Sequence, residues 1–130
     1  FDNYAATVKV DNRMINLGLW DTAGQEEYNR LRPLAYPNCD VFLIVFSVIE
    51  PSSFVNARKK EGFWYLVYPE LQENVGNVPK IFVGNKIDLR DEFALTKKDP
   101  KDAPIMKETA RKIIEDEFKC KYMECSALTQ

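Results

Sequence analysis

Lys80-Ile81-Phe82-Val83-Gly84-Asn85-Lys86-Ile87-Asp88 is the stretch on which the fold turns. Lys80 to Gly84 is short, β-branched and aromatic, which predicts a buried strand rather than a helix. The switch to polar residues at Asn85 marks a loop at that strand's carboxyl end. Upstream, Val41-Phe42-Leu43-Ile44-Val45-Phe46 is a second continuous apolar run, read as a strand buried on both faces. Between the two, Pro51-Ser52-Ser53 opens a helix running towards Tyr68 and ending near Pro69, since Pro suits a first helical turn and Ser can cap it. Downstream, Ile105, Met106, Thr109, Ala110, Ile113, Ile114 and Phe118 recur at helical spacing between Pro104 and Lys119, before a short last strand from Tyr122 to Cys125. Strands alternating with helices predict an α/β sheet with helices on its faces.

The front of the chain reads differently. Ala6, Val8 and Val10 alternate with Thr7, Lys9 and Asp11, and Ile15, Leu17 and Leu19 alternate with Asn16, Gly18 and Trp20. That period of two predicts an antiparallel hairpin, turned at Asp11-Asn12-Arg13, where Asp and Asn tolerate left-handed backbone.

Composition narrows the function classes. The chain has 130 residues, 45% hydrophobic and 29% charged, with 18 basic against 20 acidic side chains and a net charge of −2. Such a chain is neither disordered nor an electrostatic binder of nucleic acid or anionic membrane. The longest apolar run, Val41 to Phe46, is six residues, far short of the roughly 20 that a membrane helix needs. Cys39, Cys120 and Cys125 are an odd set without C-x-x-C spacing, and no signal-peptide pattern opens the chain. Reduced thiols in the cytosol are the expectation. There is no histidine, which removes the usual zinc sites and every Ser-His or Cys-His arrangement. Any hydrolysis would rest on positioning, an amide or carboxylate, and a hard metal ion.

In α/β sheets, ligands sit where loops leave the carboxyl ends of strands. Three candidate loops meet that condition. Asp21-Thr22-Ala23-Gly24-Gln25 follows the second hairpin strand: a strand-end carboxylate can hold Mg²⁺ directly or through water, Gly24 permits close approach to a phosphate, and Gln25 can orient an attacking water. In Asn85-Lys86-Ile87-Asp88, the Asp88 carboxylate can accept from the N1–H and N2–H₂ edge of guanine. Adenine presents an acceptor at N1 and would meet a carboxylate with no donor to offer it. Lys86 could lay its stem along the base plane, and Asn85 could tie neighbouring loops together. Ser126-Ala127-Leu128 would bring backbone N–H groups near a base carbonyl. Each motif alone also reads as an ordinary polar turn; their order, each at a predicted strand end, points to one site.

At these residues a resemblance is plain. Leu17-Gly18-Leu19-Trp20-Asp21-Thr22-Ala23-Gly24-Gln25-Glu26, with Tyr28, Arg30-Leu31-Arg32-Pro33-Leu34 and Tyr36-Pro37, resembles a Rho-family small GTPase of the Rac type. Trp20 before the Asp, the Leu-Arg-Pro-Leu run and Cys125-Ser126-Ala127-Leu128 point to the Rho branch. Phe1-Asp2-Asn3-Tyr4 resembles the end of that family's first switch, where effectors bind. The resemblance implies a P-loop-NTPase-like mixed sheet and a GTP-hydrolysing switch in signalling to the actin cytoskeleton. Asp21 would serve the Mg²⁺ shell through water, Thr22, Ala23 and Gly24 would bind the nucleotide, with Gly24 giving its backbone N–H to the γ-phosphate, and Gln25 would be catalytic. Asn85, Lys86, Asp88, Ser126, Ala127 and Leu128 would bind the guanine of GTP or GDP. Effectors, exchange factors and GTPase-activating proteins are the implied partners. Cytoplasmic localisation is expected, with membrane attachment only through a lipid tail.

The chain departs from that family in three ways. No G-x-x-x-x-G-K-[ST] occurs in it, and Gly18, Gly24, Gly62, Gly76 and Gly84 are scattered. The expectation is therefore a partial domain over residues 1–130, from the end of the first switch to the Ser-Ala-Leu loop, without the first strand, phosphate loop and last helix. Its alternative is a nucleotide-free interaction module that keeps the switch surface as a decoy. Glu61-Gly62-Phe63-Trp64-Tyr65-Leu66-Val67 occupies a place where relatives have fewer residues; a buried helix end or splice remnant is preferred over an aromatic docking surface. Between Asp91 and Pro104, where Rho relatives carry an extra charged helix, the segment is shorter and interrupted by Pro100.

Overall fold

The computed structural model describes residues 2–21, 36–50, 69, 71, 73, 77–96 and 103–130. Hydrogen bonding places their strands in two sheets, belonging to two compact units, residues 1–39 and 40–130.

The first unit holds a hairpin of β1 (Asp2–Val10) and β2 (Arg13–Asp21), antiparallel, with Val8 opposite Ile15 and Tyr4 opposite Leu19. Asp11 and Asn12 close it with φ of 48° and 64°. Two successive positive φ values are what a two-residue type I′ turn requires, and Asp-Asn supplies the residue types that accept them. The register gathers Tyr4, Ala6, Val8, Ile15, Leu17 and Leu19 on one face, as the alternation predicts.

The second unit is a parallel sheet in the order β3 (Phe42–Ser47), β4 (Lys80–Asn85), β5 (Lys121–Glu124), with helices α1 (Ile87–Thr96) and α2 (Lys107–Asp116). Its core is Ile44, Phe46, Val48, Phe82, Ala110, Ile114 and Phe118. α2 buries Ala110 and Ile114, four residues apart on one stripe, and Phe118 follows the helix to stack on Phe82 at 5.3 Å between ring centroids.

Two expectations are corrected. β3 is not buried on both faces: Ile44 and Phe46 are, but Leu43 and Val45 are each 57% exposed. Alternate side chains point to opposite faces, and the buried pair faces the cluster containing α2. The periodic helix starts at Lys107, so Met106 is an exposed N-cap residue and Thr109 is exposed. Before it, Ile105 N–H donates to Val48 O at 2.8 Å, and Met106 keeps extended backbone at φ −80°, ψ 148°. Helical backbone is present at Pro69, Leu71 and Glu73, and proline is tolerated in a helical first turn. The helix expected from Pro51 towards Tyr68, with its end near Pro69, and the segment 61–67 lie outside the described residues.

No helix among the described residues is long and apolar enough to cross a membrane.

Candidate functional site

Parallel pairing of Gly84 with Glu124 sets the carboxyl ends of β4 and β5 side by side. The chain leaving each strand is stitched to the other at once. Cys125 N–H donates to Gly84 O at 2.9 Å, and Ile87 N–H donates to Cys125 O at 3.4 Å. The Asn85 side chain also spans the two segments, its Oδ1 accepting Lys86 N–H at 2.8 Å and the Cys125 thiol at 3.6 Å.

Lys86 sits at φ 66°, in the left-handed region. A non-glycine residue there is strained by roughly 1–2 kcal/mol, and the bond from its N–H to Asn85 is one of the contacts holding it. The left-handed residue turns the chain from strand direction into α1, whose first turn contains Asp88. A carboxylate there is favoured by the helix dipole.

Asp88 is half-buried, and its Oδ1 accepts the Ser126 hydroxyl at 2.7 Å. Ser126 is itself buried, and its Oγ accepts Thr129 N–H at 3.1 Å while its carbonyl accepts Gln130 N–H at 2.8 Å. Those bonds curl residues 126–130 into a turn that presents Ala127 and Leu128 to solvent. The carboxylate, oriented by the hydroxyl, keeps lone pairs for a planar ligand with two adjacent N–H donors. Lys86 stands exposed beside it.

Behind this junction lies a second polar group. Arg90 on α1 forks onto Glu124 at the end of β5, Nη1 to Oε1 at 3.0 Å and Nη2 to Oε2 at 2.5 Å. The Tyr122 hydroxyl donates to Glu124 Oε2 at 2.7 Å. Burial alone would raise the Glu124 carboxyl, but the bonds from Arg90 and Tyr122 outweigh it and hold it below the ordinary carboxylate range. Its hydrogen bond to Glu124 raises the Arg90 guanidinium, and burial pushes the Tyr122 phenol up.

A family model described as the Ras family matches residues 1–130. The chain belongs to the Ras family. As a Ras-family domain it is a GTP-binding switch of the small-GTPase type. Such GTPases hydrolyse GTP, bind GTP or GDP typically with Mg²⁺, and engage effectors, exchange factors and activating proteins.

Within this Ras-family chain the described residues bring together Asn85, Lys86 and Asp88 with Ser126, Ala127 and Leu128. Asp21 is the exposed last residue of β2. Thr22, Ala23, Gly24 and Gln25 lie outside the described residues, as does Phe1; Asp2 opens β1, and Asn3 and Tyr4 are exposed on it. No group of three His, Cys, Asp or Glu side chains among the described residues could cage a metal. Mg²⁺ needs no such cage, because it keeps waters and takes phosphate oxygens with one or two carboxylates; Asp21 fits that limited role. The sequence did not point to Arg90, Glu124 and Tyr122. Arg90 and Glu124 are 34 residues apart, and only the strand register unites them.

Proposed function

We propose that the chain is the base-recognition and switch part of a Rho-type GTPase resembling Rac, acting in the cytoplasm on the actin cytoskeleton. The observation that carries the nucleotide part is the 2.7 Å bond from Ser126 Oγ to Asp88 Oδ1, which joins two loops from different strands around one carboxylate. In this reading Asp88 accepts guanine N1–H and N2–H₂, Lys86 covers the base, Asn85 holds the loops together, and the backbone of Ala127 and Leu128 meets the base carbonyl. Asp21 serves Mg²⁺ through water, Thr22, Ala23 and Gly24 approach the γ-phosphate, and Gln25 orients the water that attacks it. Phe1, Asp2, Asn3 and Tyr4 supply effector contact. The Rho-branch assignment rests on Trp20, the Leu31-Arg32-Pro33-Leu34 run and Cys125-Ser126-Ala127-Leu128.

The test is single-turnover GTP hydrolysis by the chain joined to an upstream G-x-x-x-x-G-K-[ST] segment. A Rho-type activating protein should accelerate it and a Ras-type one should not. Gln25→Leu should slow the stimulated rate by at least about tenfold while GTP stays bound. Equal response to both activators would remove the Rho assignment. A protein that binds no nucleotide yet captures Rho effectors would be the decoy.

A further inference from the structure

α1 buries no side chain. A ten-residue amphipathic helix normally docks through an apolar stripe, as α2 does. Among the described residues of α1, Ile87 packs against the core cluster, and Leu89 and Phe93 are half-buried. With so little apolar burial, polar contacts take a large share in fixing α1, and with it Asp88 in its first turn.

The polar contacts are specific. Arg90 lies in the same helix as Asp88, and Glu124 lies two residues before Ser126, so the fork between them spans the same two elements as the Ser126–Asp88 bond. The side chains of Arg90 and Glu124 are 14% and 9% exposed. Arg90 Nε is buried without a partner, which leaves its position to be set by the fork. A bidentate guanidinium–carboxylate pair fixes direction as well as distance, unlike a lysine's point charge.

Gly84 completes the arrangement. A Cβ there would fall 3.1 Å from Tyr122 Cζ, 3.0 Å from Val48 Cγ1, and in clash with the Tyr122 hydroxyl. The bare backbone of β4 thus lets the Tyr122 ring cross it and deliver its hydroxyl to Glu124 Oε2. The same Gly84 carbonyl accepts Cys125 N–H, so the crossing lies directly under the two loops.

We propose that Arg90, Glu124 and Tyr122, seated against Gly84, are positioning residues that set the Asn85–Asp88 and Cys125–Leu128 loops in register and so decide how sharply the site selects its base. The selectivity part rests on the guanine reading above; the register part does not. Breaking the fork leaves the sheet and α2 in place but frees α1 to shift on β5. Asp88 and Ser126 then lose their shared geometry.

The experiment is residue-resolved amide hydrogen exchange on the 130-residue chain, with Glu124→Gln, Arg90→Lys and Tyr122→Phe. The amides that report the junction are Lys86, Ile87 and Thr129; those that report the core helix α2 are Ala110 and Glu117, bonded to Met106 O and Ile113 O. In Glu124→Gln and Arg90→Lys, junction exchange should speed up by about tenfold or more, with Ala110 and Glu117 changing less than about threefold. Tyr122→Phe, which removes one donor, should give a smaller change at the same amides. Uniform acceleration would mean the fork merely stabilises the fold and would overturn the proposal, as would no change at the junction. Should Glu124→Gln unfold, Arg90→Lys carries the test, since it keeps the charge and removes only the fork. Because no nucleotide enters the measurement, its failure is distinct from failure of guanine binding, which is read separately by nucleotide competition.

Discussion

Asp88→Asn should exchange the base preference of the site from guanine to xanthine. In the native site Ser126 Oγ donates to Asp88 Oδ1 at 2.7 Å. In the proposed guanine complex the remaining lone pairs accept N1–H and N2–H₂ of the base. An asparagine whose Oδ1 keeps the Ser126 bond places its NH₂ where the second carboxylate oxygen was. That donor then faces the donor on C2 of guanine. Two hydrogen bonds to a charged acceptor are lost or inverted, at about 1.5–3 kcal/mol each, so GDP affinity should fall roughly 10²- to 10⁴-fold. Xanthine carries a carbonyl at C2, which accepts from the new NH₂, so xanthosine diphosphate should gain affinity in the same variant. Competition binding with the two diphosphates reads both arms. Equal losses for both bases would mean the variant had only disordered the loop.

Phe82→Ala should cost about 3–5 kcal/mol of stability. Phe82 is 1% exposed and stacks on Phe118, with the planes 30° apart. Alanine leaves a cavity between β4 and the end of α2 that neither element can close, because both are held by backbone hydrogen bonds. Domains of this size are stable by about 5–15 kcal/mol in total, so the loss is roughly a fifth or more of what holds the unit together. Urea unfolding should show a much lower midpoint. A change below about 1 kcal/mol would place the core elsewhere. The effect reaches the site because Phe82 is two residues before Gly84 on the strand that ends in Asn85.

The legible features were those with local physical causes. Alternation announced the hairpin, and Asp11-Asn12 announced its turn, since few residue types accept two positive φ values in succession. Lys80–Gly84 and Tyr122–Cys125 announced strands, and with them the loops at whose ends Asp88 and Ser126 meet. What escaped had non-local causes. α1 follows Asn85-Lys86 almost immediately, although its side chains carry no apolar stripe to signal a helix; polar contacts from Asp88 and Arg90 to another loop and strand stand in for that stripe. β3 looked buried on both sides because its sequence is uniformly apolar, and hydrophobicity records what a strand can tolerate rather than what covers it. The left-handed Lys86 gave no residue-type signal at all, as lysine has no preference for that region.

The central claim is that the Asn85–Asp88 and Ser126–Leu128 loops together recognise guanine. Its most direct test is a nuclear magnetic resonance titration of the isotopically labelled chain, joined to an upstream phosphate-binding segment, with GDP and separately with ADP. GDP should shift the amides of Lys86, Asp88, Ala127 and Leu128, and ADP at equal concentration should leave them where they are. Equal shifts from both nucleotides, or GDP shifts that bypass these four amides, would contradict the claim.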